Sequence, residues 1–252
     1  MTFSYYLALA VLFLLPPVAY EQHSSGLIGH IGSLQDKPGQ HDQWDLLLRK
    51  HVTASGDVNY SGLKQDIELL EEYLSALSAN APDENASREE KLVYYINLYN
   101  ATTVKLILDH YPVKSIKDIK NPWDKKSIKV GAKLISLGAI EHKILRKLDE
   151  PRIHFAINCA SYSCPKLQNR AYTLDKLEAQ LEEASIAFVN DPGKNRISAS
   201  GAEISKIFKW YKSDFTEKGS LVDFINIYSN VSVNSEVNVR YINYDWSLNE
   251  AK

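Results

Sequence analysis

An apolar helical pattern over residues 92–108 is the strongest constraint on the fold of this 252-residue chain. Apolar side chains recur on two neighbouring faces, so most of the helix circumference is hydrophobic. Ser87 and Glu90 precede the pattern at the spacing of a capping box, in which both side chains pair with backbone N–H groups of the first turn. A helix of this kind is buried inside a globular fold.

Two asparagines, Asn97 and Asn100, lie within this helical pattern. Because a buried amide must find hydrogen-bond partners, the two side chains either brace neighbouring backbone or orient groups of a site. In the second case they would act with Asn158 to bind substrate or an oxyanion. The sequence leaves both roles open, and all three asparagines are candidate substrate-binding residues.

The rest of the chain alternates helical and strand patterns without a long linker. Further helices are predicted over residues 137–148, from Thr173 to residue 188, and over residues 204–215 and 221–228. Strands are predicted over residues 127–130, 134–136, 153–159 and 237–244. We therefore predict a helix-rich α+β fold, in which residues 42–249 form a single domain around a small β-sheet.

The N-terminal residues 5–19 are apolar and uncharged, and Pro16 and Pro17 lie close to the end of the run. The run is shorter than the roughly 20 residues that span a bilayer, and it resembles the apolar region of a secretory signal. We predict a signal peptide over residues 1–19, or an uncleaved N-terminal anchor, followed by a flexible lead-in over residues 20–41. The protein would be exported to the periplasm or the extracellular space, and any membrane contact would be through an uncleaved N-terminal segment.

Charge and cysteine content exclude several functional classes. The net charge is −2 with lysines and arginines scattered, which predicts no nucleic-acid partner. Two cysteines are too few for a disulfide scaffold. The cysteines and histidines lack the spacing of a zinc site, and no cofactor motif is present, so we expect neither a metal nor a cofactor.

Residues 152–165 contain both cysteines, Cys159 and Cys164, together with His154 and Pro165. Alternation along a strand over residues 153–159 would bury Cys159 and place His154 on the more polar face. Pro165 favours a short helical turn over residues 165–168 with Cys164 at its N-cap, where a thiol pKa is lowered. This pattern favours Cys164 over Cys159 as a nucleophile, and both remain candidates.

A thiol nucleophile requires a general base. His154 is one candidate, and His142 is another, because Glu141 beside it could fix the tautomer of an imidazole. Alternatively, Cys159 and Cys164 form a structural disulfide, and the protein is a non-catalytic binding module.

Five motifs in this order resemble the bacterial form of the family catalogued as domain of unknown function 547. They are YYINLYNA at 94–101, ISLGAIEHKILR at 135–146, RIHFAINCASYSCP at 152–165, SKIFKWYKSDF at 205–215 and YDWSLN at 244–249. The resemblance covers about residues 44–249. The chain differs from the family pattern at Gly138 and Ala139, which stand where acidic residues usually follow a leucine.

This resemblance implies a Cys-His-Glu arrangement on a permuted papain-like or transglutaminase-like scaffold. The thiol would be Cys159 or Cys164, the imidazole His142 or His154, and the carboxylate Glu141. The expected function is an exported cysteine-dependent hydrolase or acyl transferase acting on small amides or peptides, including γ-glutamyl, glutathione-like substrates. The alternative is a non-catalytic envelope-associated module with a Cys159–Cys164 disulfide.

Overall fold

The computed structural model describes Met1 and residues 39–252. The predicted signal peptide or anchor, from residue 2 on, and most of the predicted lead-in lie outside the described residues. The helix predicted over residues 92–108 is α4, Arg88–His110. Ser87 accepts a hydrogen bond from the Glu90 N–H, and the Glu90 carboxylate accepts one from the Ser87 N–H, so the predicted capping box is confirmed.

A first hydrophobic core surrounds α4. Helices α1 (Asp42–His51), α2 (Tyr60–Leu63) and α3 (Ile67–Ala79) contribute buried side chains to it. The last residues of the predicted lead-in are also packed, because His41 is buried and its Nδ1 lies 2.8 Å from the Tyr73 hydroxyl. The packed fold therefore includes residues before the predicted boundary at 42.

The middle of the chain forms an antiparallel hairpin and an interrupted helix. Strands β1 (Ile128–Val130) and β2 (Lys133–Ile135) pair in register and fall within or beside the predicted strands. Ser136 caps the helical segment that follows, as its sequence pattern predicts. This segment comprises a turn of α-helix, α5 (Leu137–Ala139), a π-helix (Ile140–Ile144) and a 3₁₀ turn (Leu145–Lys147).

The strand predicted over residues 153–159 is wrong. Residues Ile153–Ala156 form a short helix, α6, and residues 157–159 have no regular structure. All four side chains of α6 are buried, because Ile153 and Ala156 belong to the first core and Phe155 to a second one. A short segment that is buried on all sides has no polar face, so its periodicity cannot distinguish helix from strand.

The second core lies in the C-terminal half and is rich in aromatic side chains, among them Phe155, Phe188, Phe208, Phe215 and Phe224. Its elements are listed in chain order as α7 (Leu177–Val189), β3 (Arg196–Ser198), β4 (Gly201–Ile204), α8 (Ile207–Trp210), α9 (Lys212–Phe215), α10 (Leu221–Tyr228) and β5 (Val239–Tyr241). Strand β4 pairs antiparallel with β3 and parallel with β5. The sequence patterns predicted α7, α10 and β5, whereas β3 and β4 were not predicted.

The described residues form an α+β fold, as the sequence predicts. The helix predicted over residues 204–215 is divided, because Ile204 ends β4 and Tyr211 separates α8 from α9. None of the helices within the described residues has the length and apolarity that crossing a membrane requires.

Candidate thiol site

All five side chains predicted to be catalytic line one cavity of about 330 Å³. They are Cys159, Cys164, His154, His142 and Glu141. Six aromatic residues complete most of its wall, namely Tyr99, Trp123, Trp210, Tyr211, Tyr244 and Trp246. A larger cavity of about 810 Å³ lies beside β3 and β4, but no cysteine or histidine lines it. The chemistry therefore favours the smaller cavity as the candidate site.

The loop that carries the cysteines is held by the C-terminal motif at 244–249. Tyr162 donates its backbone N–H to the Ser247 carbonyl at 2.7 Å, and Ser163 donates to the Asp245 carbonyl at 3.1 Å. Ala160 follows Cys159 with φ at +56°, a left-handed conformation that is uncommon for a residue with a Cβ. The turn therefore changes the chain direction immediately after Cys159.

The feature that favoured Cys164 as the nucleophile is absent. Residues 165–168 form no helical turn, so Cys164 does not cap a helix. Its side chain is buried, and its Sγ accepts a hydrogen bond from the Cys159 N–H at 2.9 Å. Burial raises the pKa of the Cys164 thiol, and the neighbouring Cys159 raises it further.

Cys159 is only half-buried, and its thiol pKa is lowered. The strand pattern predicted that Cys159 would be the more buried cysteine, and this is wrong because the segment is not a strand. A hydrogen bond with Cys164 lowers the pKa of Cys159, burial opposes this, and bonds with Ser161 and Tyr244 lower it again, to about 7. The Cys159 Sγ lies 3.1 Å from the Ser161 Oγ and 3.4 Å from the Tyr244 hydroxyl.

Both cysteines are free thiols. The disulfide predicted as the alternative is therefore not a feature of this structure.

His154 is paired with a carboxylate that the sequence did not indicate. Its Nε2 lies 2.9 Å from the Asp214 Oδ2, and its ring stacks on Tyr211 with 3.9 Å between the centroids. Burial lowers the pKa of His154, although Asp214 partly opposes this, so the imidazole is neutral near pH 7. With Asp214 ionised, the proton of the neutral ring lies on Nε2, and Nδ1 carries the lone pair.

Asp214 is fixed from its other side by Arg146. The guanidinium donates to both carboxylate oxygens, through Nε at 2.6 Å and Nη2 at 2.7 Å. Burial raises the pKa of Asp214, but the bonds from Arg146 and His154 outweigh it and hold the pKa well below its usual range. Asp214 lies in the motif at 205–215, which was the available sequence signal, and Arg146 ends the motif at 135–146.

Within the described residues, Glu141 forms no hydrogen bond with His154, although its charge partly opposes the effect of burial, which lowers the pKa of that imidazole. Its carboxylate accepts a hydrogen bond from the Tyr99 hydroxyl at 3.4 Å, and the described hydrogen bond of the His154 ring is with Asp214. Glu141 is buried while His142 beside it is exposed, because successive side chains of a helix point in different directions, and both residues lie in the π-helix. An extra residue in the turn changes which side chains face inward, and such bulges are frequent at functional sites.

The three predicted substrate-binding asparagines do not line the cavity. Asn97 donates to the carbonyls of Val93 and Tyr172, so both amide hydrogens are engaged. Asn100 accepts from the Asn158 N–H at 2.8 Å, and Asn158 donates to the Pro165 carbonyl at 2.7 Å. These amides therefore brace the backbone around the cysteines and are not placed to bind an oxyanion.

Within residues 39–252, no group of three or more His, Cys, Asp or Glu side chains is arranged to bind a metal ion.

Part of the chain that contains the two cysteines matches a known protein family. Residues 84–189 match the family described as protein of unknown function, DUF547. The match contains α4, the π-helix and the cysteine loop, whereas Asp214 and Tyr244 lie beyond it. No curated protein and no solved structure matches the chain.

Proposed function

We propose that this DUF547 protein is a cysteine-dependent hydrolase or acyl transferase that acts on small amide or peptide bonds, γ-glutamyl bonds among them. The observation that carries the proposal is the Cys159 thiol, whose pKa is lowered to about 7 in the cavity that His154 also lines. A thiol of this kind is substantially ionised at neutral pH, and the thiolate is the nucleophilic form.

In the proposed reaction, the neutral His154 accepts the Cys159 proton, and the sulfur attacks the substrate carbonyl carbon. The C–N bond of the tetrahedral intermediate then breaks, and the imidazolium transfers its proton to the leaving amine. Water hydrolyses the remaining thioester, or a second amine accepts the acyl group, with His154 again acting as base. Asp214 keeps the His154 proton on Nε2 and stabilises the imidazolium.

The Tyr244 hydroxyl, which lies beside the Cys159 sulfur and lines the cavity, would stabilise the oxyanion. Burial, together with the charges of the two cysteines, raises the pKa of Tyr244, so its hydroxyl remains a donor at neutral pH. The proposed triad is therefore Cys159, His154 and Asp214, in a permuted order relative to papain-like enzymes.

The test is alkylation by iodoacetamide over a pH series, followed by mass spectrometry of the intact protein. We expect one thiol to react with a midpoint near pH 7, and Cys159→Ser to abolish that reaction. Cys164→Ser is the matched control and should leave the alkylation of Cys159 unchanged, because serine retains a hydrogen-bond donor. Cys164→Ala raises the midpoint by about one pH unit, since the thiolate loses a hydrogen bond.

Activity is then measured with γ-glutamyl-4-nitroanilide and short peptide amides. Cys159→Ser and His154→Gln are each expected to remove turnover. Labelling that follows Cys164, or two thiols that resist alkylation at neutral pH, would contradict the proposal.

The competing proposal is a non-catalytic envelope-associated module in which Cys159 and Cys164 are joined by a disulfide. The 2.9 Å contact between the Cys159 N–H and the Cys164 Sγ favours it, because it brings the second sulfur next to the first residue. An intact mass two hydrogens lighter than the sequence mass, unchanged by His154→Gln, would support this module.

We also propose that the protein is bacterial and exported, on the basis of the resemblance and of the apolar residues 5–19. N-terminal sequencing of the mature protein would give a start near residue 20 for a cleaved signal peptide. A start at Met1 in a membrane fraction would indicate an anchor.

A further inference from the structure

The wall of the thiol cavity contains three of the four tryptophans of the chain, Trp123, Trp210 and Trp246. Trp210 and Trp246 stack with 5.8 Å between their centroids, and Tyr244 lies 4.6 Å from Trp246. Trp210 is 46% exposed, whereas the fourth tryptophan, Trp44, is fully buried in the first core. The aromatic faces at the cavity are therefore accessible to a ligand.

The cavity also contains a buried carboxylate. Glu141 is 6% exposed, and the hydroxyls of Tyr99 and Tyr211 are hydrogen-bonded to it. In the part of the chain that the structure describes, no lysine, arginine or histidine nitrogen forms an ion pair with Glu141. The Arg146 guanidinium is hydrogen-bonded to both oxygens of Asp214, which raises its pKa, and the charge of Glu141 raises that pKa further. Glu141 thus accepts hydrogen bonds from hydroxyl groups and, within the described residues, forms no direct ion pair.

These two features favour a cationic ligand. A buried carboxylate in a cavity wall offers acceptor oxygens to a ligand, and a cationic group that pairs with it directly gains a charge-assisted hydrogen bond. Tryptophan and tyrosine faces attract cations, most strongly where water is excluded. Two side chains outside the cavity already use this attraction, since Lys117 lies 4.9 Å from the Trp246 centroid and Arg146 lies 5.4 Å from that of Tyr211.

We propose that the cavity binds substrates that carry a protonated primary amine, which Glu141 holds as an ion pair against the tryptophan wall. This inference rests on the proposed function, because it places the amine-bearing substrate beside the Cys159 sulfur. A hydrogen-bonding ammonium fits better than a quaternary one, since Glu141 presents acceptor oxygens. The cavity volume of about 330 Å³ is at the small end for ligand sites and suits an amino-acid amide or a dipeptide.

The binding test uses the full chain and two probes of equal size, n-butylammonium and n-butanol. Tryptophan fluorescence reports binding directly, because three of the four tryptophans line the cavity. We expect saturable binding of n-butylammonium to the wild type and to Cys159→Ser, and none of n-butanol. Glu141→Gln retains the size and a hydrogen-bond acceptor but removes the charge, and it should weaken n-butylammonium binding by about tenfold or more.

Two further variants make the result interpretable. Glu217→Gln removes a charge from an exposed residue that does not line the cavity and should leave binding unchanged. Trp210→Leu removes one aromatic face at an exposed position and should weaken binding of n-butylammonium even if Glu141→Gln fails to fold. Equal binding of the two probes, or unchanged binding in Glu141→Gln, would overturn the inference.

Turnover separates this inference from the proposed function. Faster hydrolysis of an amino-acid amide than of its N-acetylated form, lost in Glu141→Gln, supports the inference. Equal hydrolysis of both forms would overturn it and leave the thiol enzyme intact. Ammonium binding by a protein that hydrolyses neither form would support the inference as a binding site and count against the enzyme.

Discussion

The reactivity of the two cysteines depends on the hydrogen bonds that each sulfur receives. Cys164 is buried and its pKa is raised, whereas Cys159 is bonded by Cys164, Ser161 and Tyr244, and its pKa falls to about 7. Burial and hydrogen bonding act in opposite directions on a thiolate. For Cys159, the hydrogen bonds outweigh the burial.

Asp214 gives a prediction at the residue scale for stability against pH. Its pKa is lower in the folded chain than in the unfolded one, so its stabilising contribution is complete above the unfolded pKa of about 4. The contribution is lost progressively as the pH falls from there toward the folded pKa. Asp214→Asn should therefore lower the free energy of unfolding near neutral pH by about 1.5–3 kcal/mol, and by less in acid.

Urea unfolding at about pH 7 and about pH 3 measures both differences. Asp118→Asn, at an exposed position, serves as the control and should change neither value. A variant as stable as the wild type at both pH values would show that the Arg146–Asp214–His154 contacts contribute nothing to folding.

At the scale of elements, the C-terminal motif connects α2 to the cysteine loop. The Tyr60 hydroxyl donates to the Asn249 Oδ1 at 2.8 Å, and Asn249 donates its N–H to the Ala160 carbonyl at 3.3 Å. The Asn249 amide also lies 3.4 Å from the Asn158 Oδ1. One buried side chain thus links three segments that are distant in sequence.

Asn249→Ala leaves the fully buried Tyr60 hydroxyl without this acceptor, so we expect a loss of about 1–3 kcal/mol in the free energy of unfolding. Adding Tyr60→Phe removes the unpaired hydroxyl and should restore part of that loss. A double-mutant cycle by urea unfolding measures the coupling between the two side chains. Strictly additive losses would contradict the proposed link.

At the scale of the whole molecule, α6 joins the two hydrophobic cores. Ile153 and Ala156 pack in the first core, and Phe155 packs in the second against Phe188 and Phe215. His154 lies between these anchors and is paired with Asp214. Because this short helix packs in both cores, both cores fix the position of the His154 imidazole.

This arrangement predicts that residues 39–252 unfold in one cooperative transition. Phe155→Ala should lower the free energy of unfolding by about 3–5 kcal/mol and shift the fluorescence and far-UV circular dichroism transitions together. Ile227→Ala, at a position 65% exposed, is the control and should change the free energy by about 0.5 kcal/mol at most. Two separated transitions in the Phe155→Ala protein would show that the cores fold independently.

Much of the fold could be predicted because its signals are local. The capping box of α4, the Ser136 cap and the amphipathic patterns of α7 and α10 depend on residues close in sequence. The strand predicted over residues 153–159 failed, because burial of α6 on every side removed the periodicity on which the prediction depended.

The sequence alone therefore determined the α+β class, the buried α4 and the set of Cys, His and Glu residues that share one cavity. Only the tertiary structure decided which thiol is activated and which carboxylate pairs with His154. Asp214 is 60 residues from His154, and Tyr244 is 85 residues from Cys159. The pKa values of the thiol and the imidazole are set by burial and by hydrogen bonds between residues that are far apart in sequence. Periodicity and spacing along the chain do not predict such contacts.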